Sequence, residues 1–211
     1  MNKKPLVLSS LALLTALAVG AWFYTYVRTH TPAPDQTAPE VTIGGPFTLT
    51  DETGEKFSSA ELTGKYWLVY FGFTFCPDIC PMTLQTMTQA LFALEERRPQ
   101  LAVQTVPVFI TIDPERDDVA EMRAYASHFH PRLKALTGTP AEIRDVARAF
   151  KIYYAKADPE GGAYEPGLTD YVMDHSSAVY LMGPDGEFQS FFSHTATAEE
   201  IAAGIETAAG G

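Results

Sequence analysis

Apolar and polar residues alternate along the chain in blocks that predict strands and helices in turn. Residues 67–71 are continuously apolar, which is typical of a strand buried on both faces, and a helix over about 81–97 follows. Residues 106–112 form a second β-rich run. A further helix is predicted over 117–129, with Asp117 or Asp118 near its cap. The middle of the chain therefore has the order β-α-β-α.

The flanking segments add hairpins and one more pair of helices. Residues 47–49 and 56–58 flank a turn-like sequence and predict a hairpin. Thr139, Pro140 and Glu142 have the spacing of a capping box, which predicts a helix up to Phe150. Strands over 177–182 and 187–192, joined by Gly183-Pro184-Asp185-Gly186, precede a terminal helix over 198–208. Parallel strands joined by helices, with a final antiparallel hairpin, predict an α/β domain of thioredoxin-like fold.

The amino terminus has the pattern of a membrane anchor. Lys3 and Lys4 precede residues 6–27, which carry no charge, and Arg28 ends the run. As a helix this run would reach roughly 33 Å, enough to cross a bilayer core. A cleaved signal peptide is the alternative, but the closing aromatic cluster favours an uncleaved transmembrane anchor over 1–28. The basic start predicts a cytoplasmic amino terminus, so the protein would lie in the inner membrane with its domain in the periplasm.

Residues 29–40 predict a linker, because three prolines stand among small and polar residues without an apolar period. The remaining residues, 41–211, suit one compact domain.

Composition and charge exclude several classes of protein. With 46% hydrophobic and 19% charged residues, the chain is too apolar for a disordered protein. Its net charge of −11 argues against nucleic-acid binding, since it has no cationic excess to neutralise phosphates. Two cysteines exclude a disulfide-rich scaffold and a four-thiolate metal site within one chain. They leave a structural disulfide, a redox-active pair or a small thiolate metal site.

Cys76 and Cys80 lie between the predicted strand over 67–71 and the helix that follows, separated by three residues. Helix amides and the helix dipole stabilise a thiolate at such a place. Residues four apart share one face of a helix, so both sulfurs could converge on one soft ion such as Cu(I) or Zn(II). A structural disulfide would close a very short loop and constrain the unfolded chain little. Thiol-disulfide exchange and peroxide reduction remain open beside metal binding.

One of the five histidines is placed to complete a metal site. His175 comes directly before the strand over 177–182, and in thioredoxin-like folds the segment entering this strand faces the reactive cysteines. His30 lies in the linker, and His194 is expected in a surface loop. His128 and His130 stand at a predicted helix end, where the dipole favours capping cations.

Several short motifs fall in the order and spacing of one known family. The chain resembles the Sco/SenC family, which comprises membrane-anchored copper chaperones of cytochrome c oxidase assembly with a thioredoxin-like fold. The resemblance covers roughly residues 41–208 and the anchor. It rests on these residues: Gly72-Phe73-Thr74, Cys76-Pro77-Asp78-Ile79-Cys80-Pro81, Ile112-Asp113-Pro114-Glu115-Arg116-Asp117, Leu136-Thr137-Gly138-Thr139, Tyr153-Tyr154, Asp174-His175-Ser176 and Gly183-Pro184-Asp185-Gly186.

The resemblance implies that Cys76, Cys80 and His175 bind copper, as Cu(I) or Cu(II). Asp78, between the thiols, is expected to act beside the ligands or in docking, or else as an N-cap or turn carboxylate. Asp113 and Arg116 are expected to form a buried turn network.

For Met173, two residues before His175, packing is expected rather than ligation.

The leading hypothesis is copper delivery to the binuclear copper site of an apo cytochrome c oxidase subunit. Its partners would be that subunit, the membrane and either a thiol reductant or an upstream copper donor, with no nucleic acid. A thiol-disulfide reductase that uses a redox-active Cys76–Cys80 pair to keep the subunit's cysteines reduced is the first alternative. A thiol peroxidase and a copper sensor are the others.

Overall fold

A computed structural model describes residues 17–28, 42–158 and 171–210 of the chain. The chain divides into two compact units, Met1–Val41 and Thr42–Gly211. In the first unit, residues 17–28 are helical, with Trp22 and Tyr26 stacked at a ring-centroid distance of 5.5 Å. No helix in the described part of the chain is both long and apolar enough to span a bilayer. Residues 1–16 of the predicted anchor and the whole predicted linker, with His30, lie outside the described residues.

The second unit is built on a sheet of seven strands, in the order β2-β1-β5-β4-β3-β8-β9. The neighbours β3, β4 and β5 run parallel, whereas β8, β9, β1 and β2 pair antiparallel with their neighbours. The strands are β1 (Thr48–Asp51), β2 (Lys56–Ser58), β3 (Tyr66–Gly72), β4 (Thr105–Thr111), β5 (Lys134–Thr137), β8 (Val179–Met182) and β9 (Phe188–Phe192). The sheet confirms the predicted parallel centre and closing antiparallel hairpin.

In the described part of this unit, four helices and a short 3-10 turn, Ser59–Leu62, lie between strands, and a fifth helix follows the last strand. The helices are α1 (Ile79–Arg97), α2 (Pro99–Val103), α3 (Val119–Ala126), α4 (Pro140–Ala149) and α5 (Ala198–Ala208). Helices α1 and α5 pack against each other, while α3 packs on β5 and α4 on β1. The capping box predicted for α4 is confirmed in both directions, because Thr139 accepts from the Glu142 amide and Glu142 from the Thr139 amide.

A separate two-stranded sheet lies beside the main one. It pairs β6 (Tyr154–Ala157) with β7 (Val172–His175) antiparallel, and Tyr154 stands opposite His175 in the register. The sequence pattern predicted neither strand, and it also missed β5 and α2. These elements are short, and β5 lies between β1 and β4 with an apolar stretch of only Ala135 and Leu136. The conformation of the three strands is determined by pairing partners that are distant in sequence.

The core consists of large apolar side chains between the sheet and its helices. The centre of β3 is almost wholly inaccessible to solvent, as predicted for a strand covered on both faces. Phe71, Phe109 and Phe150 are among the largest fully buried side chains. This core fixes the carboxyl end of β3, from which the cysteine segment departs.

Candidate metal centre

The two cysteines stand where β3 passes into α1. The thiol of Cys76 is partly buried in the connecting loop, and that of Cys80 is fully buried in the first turn of the helix. Both thiols are free. A Cβ atom added to Gly72 would come within 2.8 Å of the Cys80 sulfur, so a glycine at the end of β3 lets the helix start approach the strand closely.

Cys76 occupies the position of a helix cap. Its sulfur accepts a hydrogen bond from the Cys80 amide at 3.4 Å, although Asp78 is the N-cap residue by backbone position. The Cys80 thiol and the Asp78 amide also donate to the Cys76 sulfur. Donation from Cys80, assisted by these amides, outweighs burial and lowers the pKa of Cys76 to about 5. Cys76 is therefore the more acidic thiol of the pair.

Cys80 has the opposite electrostatic character. Its hydrogen bond to Cys76 and its burial raise the pKa of its thiol above the usual range. The Tyr70 hydroxyl, buried in β3, donates to the Cys80 sulfur at 3.5 Å. Burial in turn raises the pKa of Tyr70, so this hydroxyl stays protonated as a donor. The apolar pattern marked Tyr70 only as part of a strand and gave no sign of this contact.

His175 reaches the thiols from the end of β7. Its Nε2 atom lies 3.7 Å from the Cys80 sulfur. Its Nδ1 atom lies 2.9 Å from the Ser176 carbonyl oxygen, which can only accept, so Nδ1 carries the proton in the neutral ring. This hydrogen bond leaves the Nε2 lone pair directed at Cys80. The structure thus places Cys80 next to both of the other predicted ligands, Cys76 and His175.

Two aromatic rings surround the imidazole. Phe73 lies edge-on to His175 at 5.9 Å between ring centroids, and Tyr70 lies edge-on at 6.3 Å. Both flank the cysteine loop, so the ring is confined by the segment that carries the thiols.

A buried carboxylate accepts hydrogen bonds from the cysteine loop. Asp117 is fully buried and accepts from the Thr74 amide at 3.1 Å, and also from the hydroxyls of Thr74 and Thr111. Burial raises the pKa of Asp117, although these three donors oppose the shift. The neighbouring Asp118 is the actual N-cap of α3. The sequence marked both residues as cap candidates, and only the fold distinguishes their roles.

The structure confirms the expectations for Asp113, Arg116 and Met173 but not the capping role of Asp78. Asp78 is exposed and makes no side-chain cap hydrogen bond, so the N-cap interpretation of its carboxylate is wrong. Asp113 and Arg116 form the expected buried turn pair at 2.5 Å. Met173 is buried and packs in the core, as expected.

Among the remaining histidines, His128 donates toward the Tyr125 carbonyl near the end of α3, which confirms its capping role. His194 is exposed in a loop, as expected. The capping prediction for His130 is wrong, because this ring is 3% exposed, accepts from the Arg132 amide and bonds Glu95 at 3.2 Å. Its burial lowers its pKa, which makes a cationic cap unfavourable.

The donor set suits a soft ion. Two thiols and one imidazole are ligands that Cu(I) and Zn(II) accept readily. Within the described part of the chain, no three His, Cys, Asp or Glu side chains already stand close enough together to hold an ion. The three side chains are neighbours that would have to turn toward a common point.

Comparisons with known proteins identify the family. The chain is 40% identical over 168 residues to the mitochondrial SCO1 homolog 1 of Arabidopsis thaliana, an alignment covering 80% of this chain and 47% of the relative. The chain spans about half the length of this relative and of the mitochondrial SCO1 homolog of Homo sapiens. The crystal structure of Arabidopsis thaliana ScoI with copper bound is 39% identical, with a TM-score of 0.70, covering 79% of this chain and 98% of that one.

A second solved structure is BsSco, in which a disulfide switch was identified and which is described as a member of the Sco family of cytochrome c oxidase assembly proteins. It is 25% identical with a TM-score of 0.60, covering 80% of this chain and 94% of that one. These likenesses confirm the mixed α/β, thioredoxin-like fold. The family model described as SCO1/SenC matches residues 35–210, which is most of the chain. The chain therefore belongs to the SCO1/SenC family.

Proposed function

We propose that this chain binds copper through Cys76, Cys80 and His175 and delivers it to a cytochrome c oxidase subunit during assembly. The observation that carries the proposal is the approach of His175 Nε2 to within 3.7 Å of the Cys80 sulfur, beside the low-pKa thiol of Cys76. The copper-bound ScoI structure and the oxidase-assembly description of BsSco support it.

The protonation pattern favours a soft monovalent ion. Cys76 is already deprotonated at neutral pH, and copper would displace the proton of Cys80 on binding. Two thiolates and a neutral imidazole around Cu(I) leave a single net negative charge, which is tolerable at a half-buried site. The Nδ1–H bond to Ser176 orients the imidazole so that Nε2 faces the ion.

Delivery requires a site that exchanges ligands. Copper is the cargo, and Cys76 is the more accessible of the two sulfurs, so an incoming ligand from the apo-subunit would replace it first. The exposed carboxylate of Asp78 stands beside this opening and is available for docking. An upstream copper donor or a thiol reductant would return the chain to its loaded or reduced state.

The test is a copper titration of the reduced full chain. Wild type should bind one Cu(I) ion in competition with a chromophoric chelator, and His175→Ala should bind at least tenfold more weakly. His194→Ala, which changes an exposed histidine, is the matched control and should leave affinity within twofold. Undiminished affinity in His175→Ala would remove His175 from the site. Transfer from the loaded chain to an apo-subunit carrying a binuclear copper site then tests delivery.

A thiol-disulfide reductase is the second candidate. The unequal thiols favour it, since a low-pKa accessible thiol beside a buried high-pKa partner is the arrangement of an attacking and a resolving cysteine. The disulfide switch of BsSco also supports it. Reduction of an oxidised subunit peptide by the metal-free chain, abolished in Cys76→Ser, would establish this activity.

We also propose that residues 1–28 anchor the chain in the inner membrane, with the domain on the periplasmic side. The uncharged run between Lys4 and Arg28 supports the anchor, and the lysines before it support the orientation. A carboxyl-terminal reporter that is active only outside the cytoplasm should be active in cells. Replacing Lys3 and Lys4 by glutamate should reduce that signal.

A further inference from the structure

The strand that ends in His175 lies outside the main sheet. Strands β6 and β7 pair only with each other, so no backbone ladder joins them to the seven-stranded sheet within the described residues. The position of His175 relative to the thiols therefore depends on the three-residue link to β8 and on the side chains that join this hairpin to the rest of the domain. Met173 packs against the apolar core, and the carbonyl oxygen of Tyr171, just before β7, accepts a hydrogen bond from Arg116.

Arg116 lies between two aromatic rings that belong to the two halves of the site. Its Cζ atom is 3.8 Å from the ring centroid of Tyr171 and 4.8 Å from that of Phe75. Phe75 directly precedes Cys76, and Tyr171 directly precedes the strand that ends at His175. One guanidinium thus contacts both the cysteine loop and the histidine strand, within the range of cation–π attraction.

Hydrogen bonds fix the guanidinium in this position. Arg116 donates from Nε to the buried carboxylate of Asp113 and from Nη1 to the Tyr171 carbonyl oxygen at 2.9 Å. The Tyr171 hydroxyl donates to the second oxygen of Asp113 at 2.7 Å. Asp113, Arg116 and Tyr171 are therefore each hydrogen-bonded to the other two, and the Phe75 ring packs against the guanidinium of Arg116.

From these contacts we infer that Arg116 is a positioning residue that ties the cysteine loop to the histidine strand and so sets the approach of His175 to the thiols. The contacts stand on this chain's geometry alone, while the consequence for copper rests on the proposed function. Lysine cannot replace arginine here, because it lacks the planar fork that donates to Asp113 and Tyr171 while stacking on two rings.

The first test needs no metal. Backbone hydrogen exchange of the reduced full chain would be compared between wild type and Arg116→Lys. We expect the amides of β7 to exchange about tenfold faster in the variant, while those of β3 and β4 stay within twofold. Arg97→Lys is the control, since Arg97 makes surface ion pairs with Glu199 and Glu206 and should change neither set. Equal protection of β7 in both chains, or a uniform loss across all strands, would overturn the inference.

The second test asks whether Arg116 acts through His175. Cu(I) affinity would be measured for Arg116→Lys in the wild-type background and in the His175→Ala background. We expect about tenfold weaker binding in the first background and less than twofold in the second, because a positioning effect vanishes with the group it positions. Equal losses of Cu(I) affinity in both backgrounds, or no loss in either, would contradict a positioning role for Arg116.

A milder variant avoids any disturbance of the buried ion pair. Phe75 is 57% exposed, so Phe75→Leu removes one ring of the stack without opening the core. It should weaken Cu(I) binding about threefold, whereas Phe191→Leu, at 63% exposure on the edge strand β9, should leave it unchanged. Equal affinities for the two variants would exclude a role for the stack. If the wild-type chain bound no Cu(I), the proposed function would fail, and hydrogen exchange would still decide the role of Arg116.

Discussion

The cysteine segment and the histidine hairpin meet at one site, and different forces hold them in place. The cysteine segment continues a central strand into a 19-residue helix, and its loop is bonded to the buried carboxylate of Asp117. Within the described residues, the histidine hairpin has a backbone ladder only with itself, and it joins the domain through the short link to β8 and through side chains such as Met173 and Tyr171. The cysteine segment is thus part of the central sheet and its helix, whereas the histidine hairpin packs against them as a separate sheet.

This difference would suit the binding and release of copper proposed for this chain. The thiols and the helix start are held by the central sheet, and a local opening of the hairpin would move the imidazole without breaking that sheet. We expect perturbations of the cysteine segment to affect the whole domain or the thiol chemistry, and perturbations of the hairpin to remain local. Three measurements examine this contrast.

The largest effect should appear in the ionisation of Cys76. The pH profile of its alkylation should inflect near pH 5 instead of near 8.5, because the Cys80 thiol and the helix amides stabilise the thiolate. Since the folded pKa lies below the unfolded one, the reduced chain should lose stability as pH falls from about 8.5 toward 5. Site-resolved mass spectrometry of alkylated protein measures the profile. In Cys80→Ala the inflection should move upward, and an inflection above pH 8 in wild type would refute the assignment.

The next largest effect concerns the support beneath the cysteine loop. Asp117→Ala should lower the free energy of unfolding by about 2 to 4 kcal/mol, because it leaves the Thr74 amide and two threonine hydroxyls without an acceptor. Urea unfolding followed by circular dichroism would measure the loss. Asp145→Ala removes an exposed carboxylate and should change stability by less than about 0.5 kcal/mol. If Asp117→Ala lost no more stability than Asp145→Ala, the cysteine loop would not depend on the Asp117 carboxylate.

The smallest effect on global stability should come from the hairpin. Met173→Ala removes a buried side chain and should cost about 2 kcal/mol of local opening free energy in β6 and β7. Hydrogen exchange should show faster exchange in these strands while the urea midpoint of the main sheet shifts little. If the urea midpoint fell in proportion, the hairpin would unfold with the core and the contrast between the two regions would be lost.

Local patterns along the chain were enough to determine much of this protein. The apolar run of β3, the capping box at Thr139 and the terminal helix depend on residues close together in sequence, and the structure confirms each. The spacing of Cys76 and Cys80 before a helix likewise placed both thiols at its start. Such features follow from local propensity and periodicity, which a sequence displays directly.

Tertiary structure decided what depends on distant partners. The sequence could not show that His130 is buried against Glu95, or that Asp117 supports Thr74 while Asp118 caps α3. The Tyr70 contact to Cys80 was equally invisible in the apolar pattern. Buried polar groups take whichever partner the packed fold brings to them, so their roles depend on contacts between residues far apart in the chain.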